Sequence, residues 1–128
     1  MSDSLTSLGK KHAIYRYLFW AGIVIVTVFS LIPRDINEMI GVNIWDKLEH
    51  FSTYCILLIL GRLAYPDKKN LVKTVAGLFL LGCSLEILQI YIPNRQAGID
   101  DAAANTLGII AGTVIEYFIR KIRSAQQD

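Results

Sequence analysis

The stretch DAAANTLGIIAG, from Asp101 to Gly112, decides how this chain folds. In a helix, Asp101, Asn105, Gly108 and Gly112 occupy positions i, i+4, i+7 and i+11 and therefore share one face. Lipid offers no hydrogen-bond partner to an Asp or Asn side chain, and two glycines let another backbone approach closely. The stripe therefore predicts a helix whose polar, glycine-bearing face packs against protein.

Outward from this stretch, the chain consists mostly of long apolar runs. It has 128 residues, of which 53% are hydrophobic, and its mean hydropathy is +0.42. A soluble domain of this size has too much surface to hide four such runs. We predict an all-α polytopic integral membrane protein, a four-transmembrane-helix bundle that forms one domain over residues 1–128. The predicted spans are residues 14–32, 48–64, 71–92 and 102–119, each long enough to cross a hydrocarbon layer of roughly 30 Å.

The first apolar run is expected to remain as a membrane anchor. It follows a basic flank, as a signal peptide does, but it is long and lacks a small-x-small cleavage site.

The basic residues are distributed unequally between the two predicted sides of the membrane. Ten of the 13 Lys and Arg residues fall on one side: Lys10, Lys11, Arg16, Arg62, Lys68, Lys69, Lys73, Arg120, Lys121 and Arg123. Arg34, Lys47 and Arg95 fall on the other side. The positive-inside rule therefore predicts a multi-pass protein of the cell membrane with both termini in the cytoplasm.

This topology brings polar residues from three spans to the extracytoplasmic face. They are Asp46, Lys47, Glu49, His50, Glu86, Gln89, Arg95, Asp100, Asp101 and Asn105. Lys47, His50 and Tyr54 lie on one face of the second span. Polar groups at membrane depth are costly and are therefore usually functional. A purely structural polar clamp between spans two, three and four is the alternative interpretation.

Glu86 is the most informative member of this group. An ionised, unpaired carboxylate a turn or two below the membrane surface is untenable. We therefore expect Glu86 to be either protonated or paired with Lys47, Arg95 or His50. Glu116 lies at the other end of its span and is expected to pair with Arg120 at i+4 in a structural role.

The charge balance of the outer face limits its chemistry. Five acids, Asp46, Glu49, Glu86, Asp100 and Asp101, stand against Lys47 and Arg95. This excess disfavours a simple phosphate clamp, which needs surplus Arg and Lys. Protonated carboxyls, a bound divalent cation, or a cationic or sugar-like ligand would each restore the balance.

No metal site and no cofactor are expected, because the spacing matches no compact metal-binding signature. A cation that bridges a lipid diphosphate remains a minor alternative. Cys55 and Cys83 lie below the polar rim and are expected to act as small apolar residues, without a disulfide.

The order and spacing of the polar residues resemble those of the VanZ-like family. The matching elements, within roughly residues 32–115, are Asp46-Lys47-x-x-His50-x-x-x-Tyr54, Glu86-x-x-Gln89, Pro93-x-Arg95 and Asp101-x-x-x-Asn105-x-x-Gly108-x-x-x-Gly112. Ser84-Leu85 stands where the family often has an acid before Glu86, and Asp100 adds a second acid. The family takes its name from a teicoplanin-resistance protein. The resemblance implies a small multi-helix bacterial membrane protein.

Two functions follow as hypotheses. In the first, the protein binds the headgroup of a cell-envelope glycolipid, a cell-wall precursor or a lipoglycopeptide such as teicoplanin, through Asp46, Lys47, Tyr54, Gln89, Arg95 and Asn105. In the second, it is a small intramembrane hydrolase or transferase for a lipid-linked substrate, with His50, Glu86 and Asp101 as catalytic acid–base residues. Proton-coupled transport is limited by the size of the chain. The expected partners are membrane lipids and such a ligand, with no nucleic acid, and the oligomeric state stays open.

Overall fold

The part of the chain that the structure describes folds into four helices. The computed structural model describes residues 2–33, 44–93, 95 and 97–126. The helices are α1 (Ser2–Ser30), α2 (Ile44–Ala64), α3 (Lys68–Gln89) and α4 (Ile99–Ala125). Since no strand occurs in this described part of the chain, the predicted all-α class is confirmed.

Three of these helical segments are long and apolar enough to cross a membrane. They are Gly9–Ser30 of α1, the whole of α3 and the whole of α4. Helix α2 is not among these three; it carries Asp46 in its first turn and Arg62 in its last. The structure is therefore compatible with a multi-pass membrane protein.

Large apolar side chains cover the outside of the bundle. Val24 of α1 is 60% exposed, Leu80 of α3 is 63% exposed and Ile122 of α4 is 59% exposed. An exposed apolar surface that extends over several helices marks a contact with lipid or protein, because exposing so much apolar surface to water is unfavourable. The helices thus present their apolar sides outward, as membrane helices do.

The charged helix α2 is the centre of the bundle. It packs most extensively against α4 and next against α1. Its side chains Tyr54, Leu57 and Leu58 are buried, and Leu78 of α3 joins the same core. The helix that is not among the three candidate spans is therefore the one most enclosed by the others.

Two glycines of α4 allow its close approach to α2. A Cβ atom at Gly108 would overlap the backbone carbonyl oxygen of Phe51, and one at Gly112 would lie 2.8 Å from the carbonyl oxygen of Cys55. Backbone therefore meets backbone along this seam, as small residues permit between membrane helices. This confirms the prediction that the glycine-bearing face of the fourth helix packs against protein.

Replacing Gly108 by alanine is expected to destabilise the bundle. The added methyl group must push α2 and α4 apart, and such overpacking costs about 1–3 kcal/mol. Gly77→Ala in α3 is the matched control, because a Cβ there meets nothing within 4 Å. Thermal unfolding followed by circular dichroism should show a lower Tm for Gly108→Ala only. Equal Tm values for the two variants would contradict the close contact.

Candidate functional site

A hydrogen bond between α2 and α4 lies at the centre of the candidate site. Nδ1 of His50 and Oδ1 of Asn105 are 3.0 Å apart, and Asn105 is only 4% exposed. An amide oxygen can only accept, so the imidazole donates from Nδ1. In the neutral ring, Nε2 is then left with its lone pair.

Two carboxylates gather around this imidazole. Nε2 of His50 lies 4.0 Å from Oδ1 of Asp46, one helical turn earlier in α2. Each of three half-buried residues offers one possible ligand atom, and these atoms lie within 4.8 Å of one another; the residues are Asp46, His50 and Asp101. These residues could hold a metal ion, and the set comes from two helices. The structure thus brings together two predicted catalytic residues and one predicted ligand-binding residue.

The rim of the site carries an exposed ion pair. The ammonium of Lys47 binds the carboxylate of Asp100, and these side chains are 52% and 60% exposed. Lys47 precedes the apolar part of α2, and the hydrogen bond that its ammonium group donates to Asp100 raises the pKa of that ammonium group above the ordinary value. Surface pairs of this kind contribute little to stability because water and salt screen them.

Below the imidazole, a buried hydroxyl group has no partner. Tyr54 is 2% exposed, and among the described residues its hydroxyl group makes no hydrogen bond. A Cβ atom added at Gly82 would lie 3.3 Å from that hydroxyl and 3.3 Å from the amide nitrogen of Asn105. Gly82 thus lets two polar atoms approach its backbone more closely than a side chain would easily allow. Buried polar groups are normally hydrogen-bonded, and among the described residues this hydroxyl group and Nε of Arg62 are exceptions.

Glu86 is buried close to the start of α4. It is 8% exposed, and its Oε2 atom accepts a hydrogen bond of 3.3 Å from the backbone N–H of Gly98. The bond with Gly98 joins the carboxyl group near the end of α3 to the residue just before α4. Lys47, one of the three partners expected for Glu86, is paired with Asp100 instead.

Gln89 and Arg95 bind the end of α1. The side-chain amide of Gln89 donates to the carbonyl of Ser30 at 3.0 Å. Arg95 donates to the carbonyls of Ile32, at 3.1 Å, and Phe29, at 2.8 Å. The last carbonyls of a helix have no partner within the helix, so these bonds cap α1. Both side chains are thus satisfied within the protein, and their ligand-binding role stays a prediction.

A second polar cluster, at the opposite end of the bundle, was only partly expected. Glu116 pairs with Arg120, as predicted, and also lies 3.4 Å from Nε of Arg62. Arg62 is 2% exposed and donates through Nη1 to the carbonyls of Tyr65 and Asp67. Arg62 therefore links two elements: the connection between α2 and α3, through the carbonyls, and α4, through Glu116. The sequence offered one signal for this role: Arg62 interrupts an otherwise apolar run.

A groove on the bundle surface lies apart from the polar site. This groove, of about 420 Å³, lies between α1 and α3, and its lining includes Trp20, Tyr65, Lys73 and Leu78. It begins near the connection between α2 and α3, away from His50. Cys55 and Cys83 are both free and half-buried, as expected.

These observations define a helical, membrane-type protein with a cluster of acids, an imidazole and amides at one end of the bundle. The VanZ/LLP1 family model matches residues 4–120 of the 128-residue chain. The chain therefore belongs to the VanZ-like family, which confirms the resemblance found in the sequence. No curated protein matches the chain significantly, and no solved structure does.

Proposed function

We propose that all four helices cross the cell membrane, with both termini in the cytoplasm and the His50 site at the outer face. Three helices are apolar enough to do so, and α2 carries its charges at its two ends while the other helices enclose its middle. The distribution of Lys and Arg sets the direction. Arg34, one of the three basic residues assigned to the outer side, lies outside the described residues.

A thiol-labelling experiment tests this topology. Ala97 lies between α3 and α4 and is exposed, so a cysteine there, with Cys55 and Cys83 replaced by alanine, offers one accessible thiol. A membrane-impermeant maleimide added to intact cells should label Ala97→Cys. Asp67→Cys, exposed in the connection between α2 and α3, is the matched control and should react only after the cells are opened. The reverse pattern would invert the topology.

We infer that the site binds the sugar-bearing headgroup of an envelope glycolipid, a cell-wall precursor or a lipoglycopeptide such as teicoplanin. The observation that carries this proposal is the buried Tyr54 hydroxyl group, which has no hydrogen-bond partner in the described part of the chain. The carboxylates of Asp46 and Asp101 gather at His50, one turn earlier in α2, and they accept hydrogen bonds from donor-rich ligands such as sugars. An acid-rich set of this kind suits hydroxyl and amine groups better than a bare phosphate.

The surroundings of the site suit a ligand that carries a lipid tail. The polar residues lie at one end of helices whose outer sides are apolar, as Leu107 of α4 at 57% exposure and Ile87 of α3 at 58% exposure illustrate. A lipid-linked molecule could therefore place its headgroup at the site while its hydrocarbon chain stays in the bilayer. Membership of the VanZ-like family supports a ligand of this class.

Tyr54→Phe is the most specific test of this binding function. It removes only the unpartnered hydroxyl group and should weaken ligand binding about tenfold, which is the effect of one lost hydrogen bond of about 1.4 kcal/mol. Tyr91→Phe is the matched control, because Tyr91 is 80% exposed. Affinity is measured by thermophoresis of the protein in lipid nanodiscs, once with teicoplanin and once with a lipid-linked disaccharide–peptide precursor. No detectable binding of either ligand, or equal affinities for both variants, would contradict the proposal.

The alternative function, hydrolysis or group transfer on a lipid-linked substrate, is favoured by one observation. His50 is oriented by Asn105 and faces the carboxylate of Asp46 at 4.0 Å, an arrangement that suits a general base. The same nanodisc samples decide between the two functions when the lipid is analysed by mass spectrometry. A product that disappears in His50→Gln identifies an enzyme, whereas binding without product identifies a binding protein.

A further inference from the structure

We propose that Asp46, His50 and Asp101 bind a divalent transition-metal cation. The first argument is the composition of the set. One atom of each residue lies within 4.8 Å of the others, and two carboxylates with one imidazole are ligands that Zn²⁺ and Mn²⁺ accept.

The second argument is the orientation of the imidazole. A histidine that binds a metal usually donates its other ring N–H to an oxygen acceptor, which fixes the tautomer and the direction of the ring. Here Asn105, which is 4% exposed, accepts from Nδ1 at 3.0 Å. The lone pair on Nε2 is thereby directed to the side of the ring where Asp46 lies. A chance group of surface acids has no such buried support.

Asp46 and Asp101 also place two carboxylates close to one another in half-buried positions, where like charges repel. The nearby ammonium group of Lys47 is engaged with Asp100 at the exposed rim. A divalent cation between Asp46 and Asp101 would offset this repulsion more directly than a distant monovalent charge.

The dimensions of the cluster fit a cation after a small side-chain adjustment. Ligand bonds of about 2.1 Å at the tetrahedral angle place ligand atoms about 3.4 Å apart. The atoms here lie within 4.8 Å of one another, and Nε2 of His50 is 4.0 Å from Oδ1 of Asp46, so rotations of these half-buried side chains would bring the atoms into range. Three protein ligands leave coordination positions open, as catalytic and ligand-binding metal sites do.

The unpartnered hydroxyl group of Tyr54 gives an independent indication that a ligand binds here. It is 2% exposed, and both it and the amide nitrogen of Asn105 lie close to the backbone of Gly82. An oxygen atom of the ligand could occupy an open coordination position of the cation while the Tyr54 hydroxyl group and the Asn105 amide bind another part of the same ligand. This last step rests on the proposed headgroup function, whereas cation binding itself does not.

Sequence spacing alone did not predict this site. Asp46 and His50 are four residues apart in α2, but Asp101 comes from the first turn of α4. The compact signatures that identify metal sites in a sequence hold their ligands within one or two local segments. Only the packing of α2 on α4 makes the set complete.

Cation binding is measured on the whole protein in detergent, stripped with a chelator and free of added lipid or antibiotic. Isothermal titration with ZnCl₂, and electron paramagnetic resonance with MnCl₂, should show one saturable site in the natural protein. His50→Gln and Asp101→Asn should each weaken it at least about tenfold, and Asn105→Ala about tenfold through loss of the orienting bond. Glu49→Gln is the matched control, because Glu49 is an exposed acid of the same helix turn.

Two results would overturn the proposal. One is the absence of saturable binding by the natural protein. The other is an equal loss in Glu49→Gln and Asp101→Asn, which would mean that cations bind only to general surface charge. Circular dichroism confirms that each variant is folded, and Asp46→Asn provides a further ligand substitution if another variant is not. Because the titration contains no headgroup, its failure is separate from a failure of the Tyr54→Phe experiment.

Discussion

The backbone contact between α2 and α4 is the constraint on which the rest of the structure depends. Gly108 and Gly112 have no side chains to hold the helices apart, so α4 lies against the carbonyls of Phe51 and Cys55. This close approach allows the short side chain of Asn105 to reach His50. The same approach sets Asp101 beside Asp46. The polar site thus depends on Gly108 and Gly112, which have no functional groups in their side chains.

The two ends of α2 show how a helix with charged termini is accommodated inside an apolar bundle. At one end, Asp46 and His50 meet α4; at the other, Arg62 meets Glu116 and the carbonyls of the following connection. Removing one partner of a buried ion pair is costly, whereas a complete set of partners makes burial tolerable. The guanidinium of Arg62 donates through Nη1 and Nη2 to backbone carbonyls, while its Nε makes no hydrogen bond but lies 3.4 Å from the carboxylate of Glu116. At the other end, the hydroxyl group of Tyr54 makes no hydrogen bond among the described residues.

Sequence reasoning identified those features that local spacing determines. The apolar runs predicted the helices, and the stripe from Asp101 to Gly112 predicted a face packed on protein. Contacts between distant segments were not accessible in this way. Gln89 and Arg95 were grouped with the outer site, but their bonds to carbonyls at the end of α1 depend on where that helix ends. Arg62 was counted only as a cytoplasmic charge, because its burial arises from packing against α4.

The central claim is that packing of α2 on α4 fixes His50 through Asn105, and the tautomer of the imidazole tests it most directly. The chain contains two histidines, so replacing His12 by alanine leaves His50 as the only ring signal. Solid-state NMR of this ¹⁵N-histidine-labelled protein in bilayers, free of metal and at a pH high enough to deprotonate imidazolium, should show a ring protonated at Nδ1. That signal should change when Asn105 is replaced by alanine. A ring protonated at Nε2, with shifts that Asn105→Ala leaves unchanged, would contradict the account.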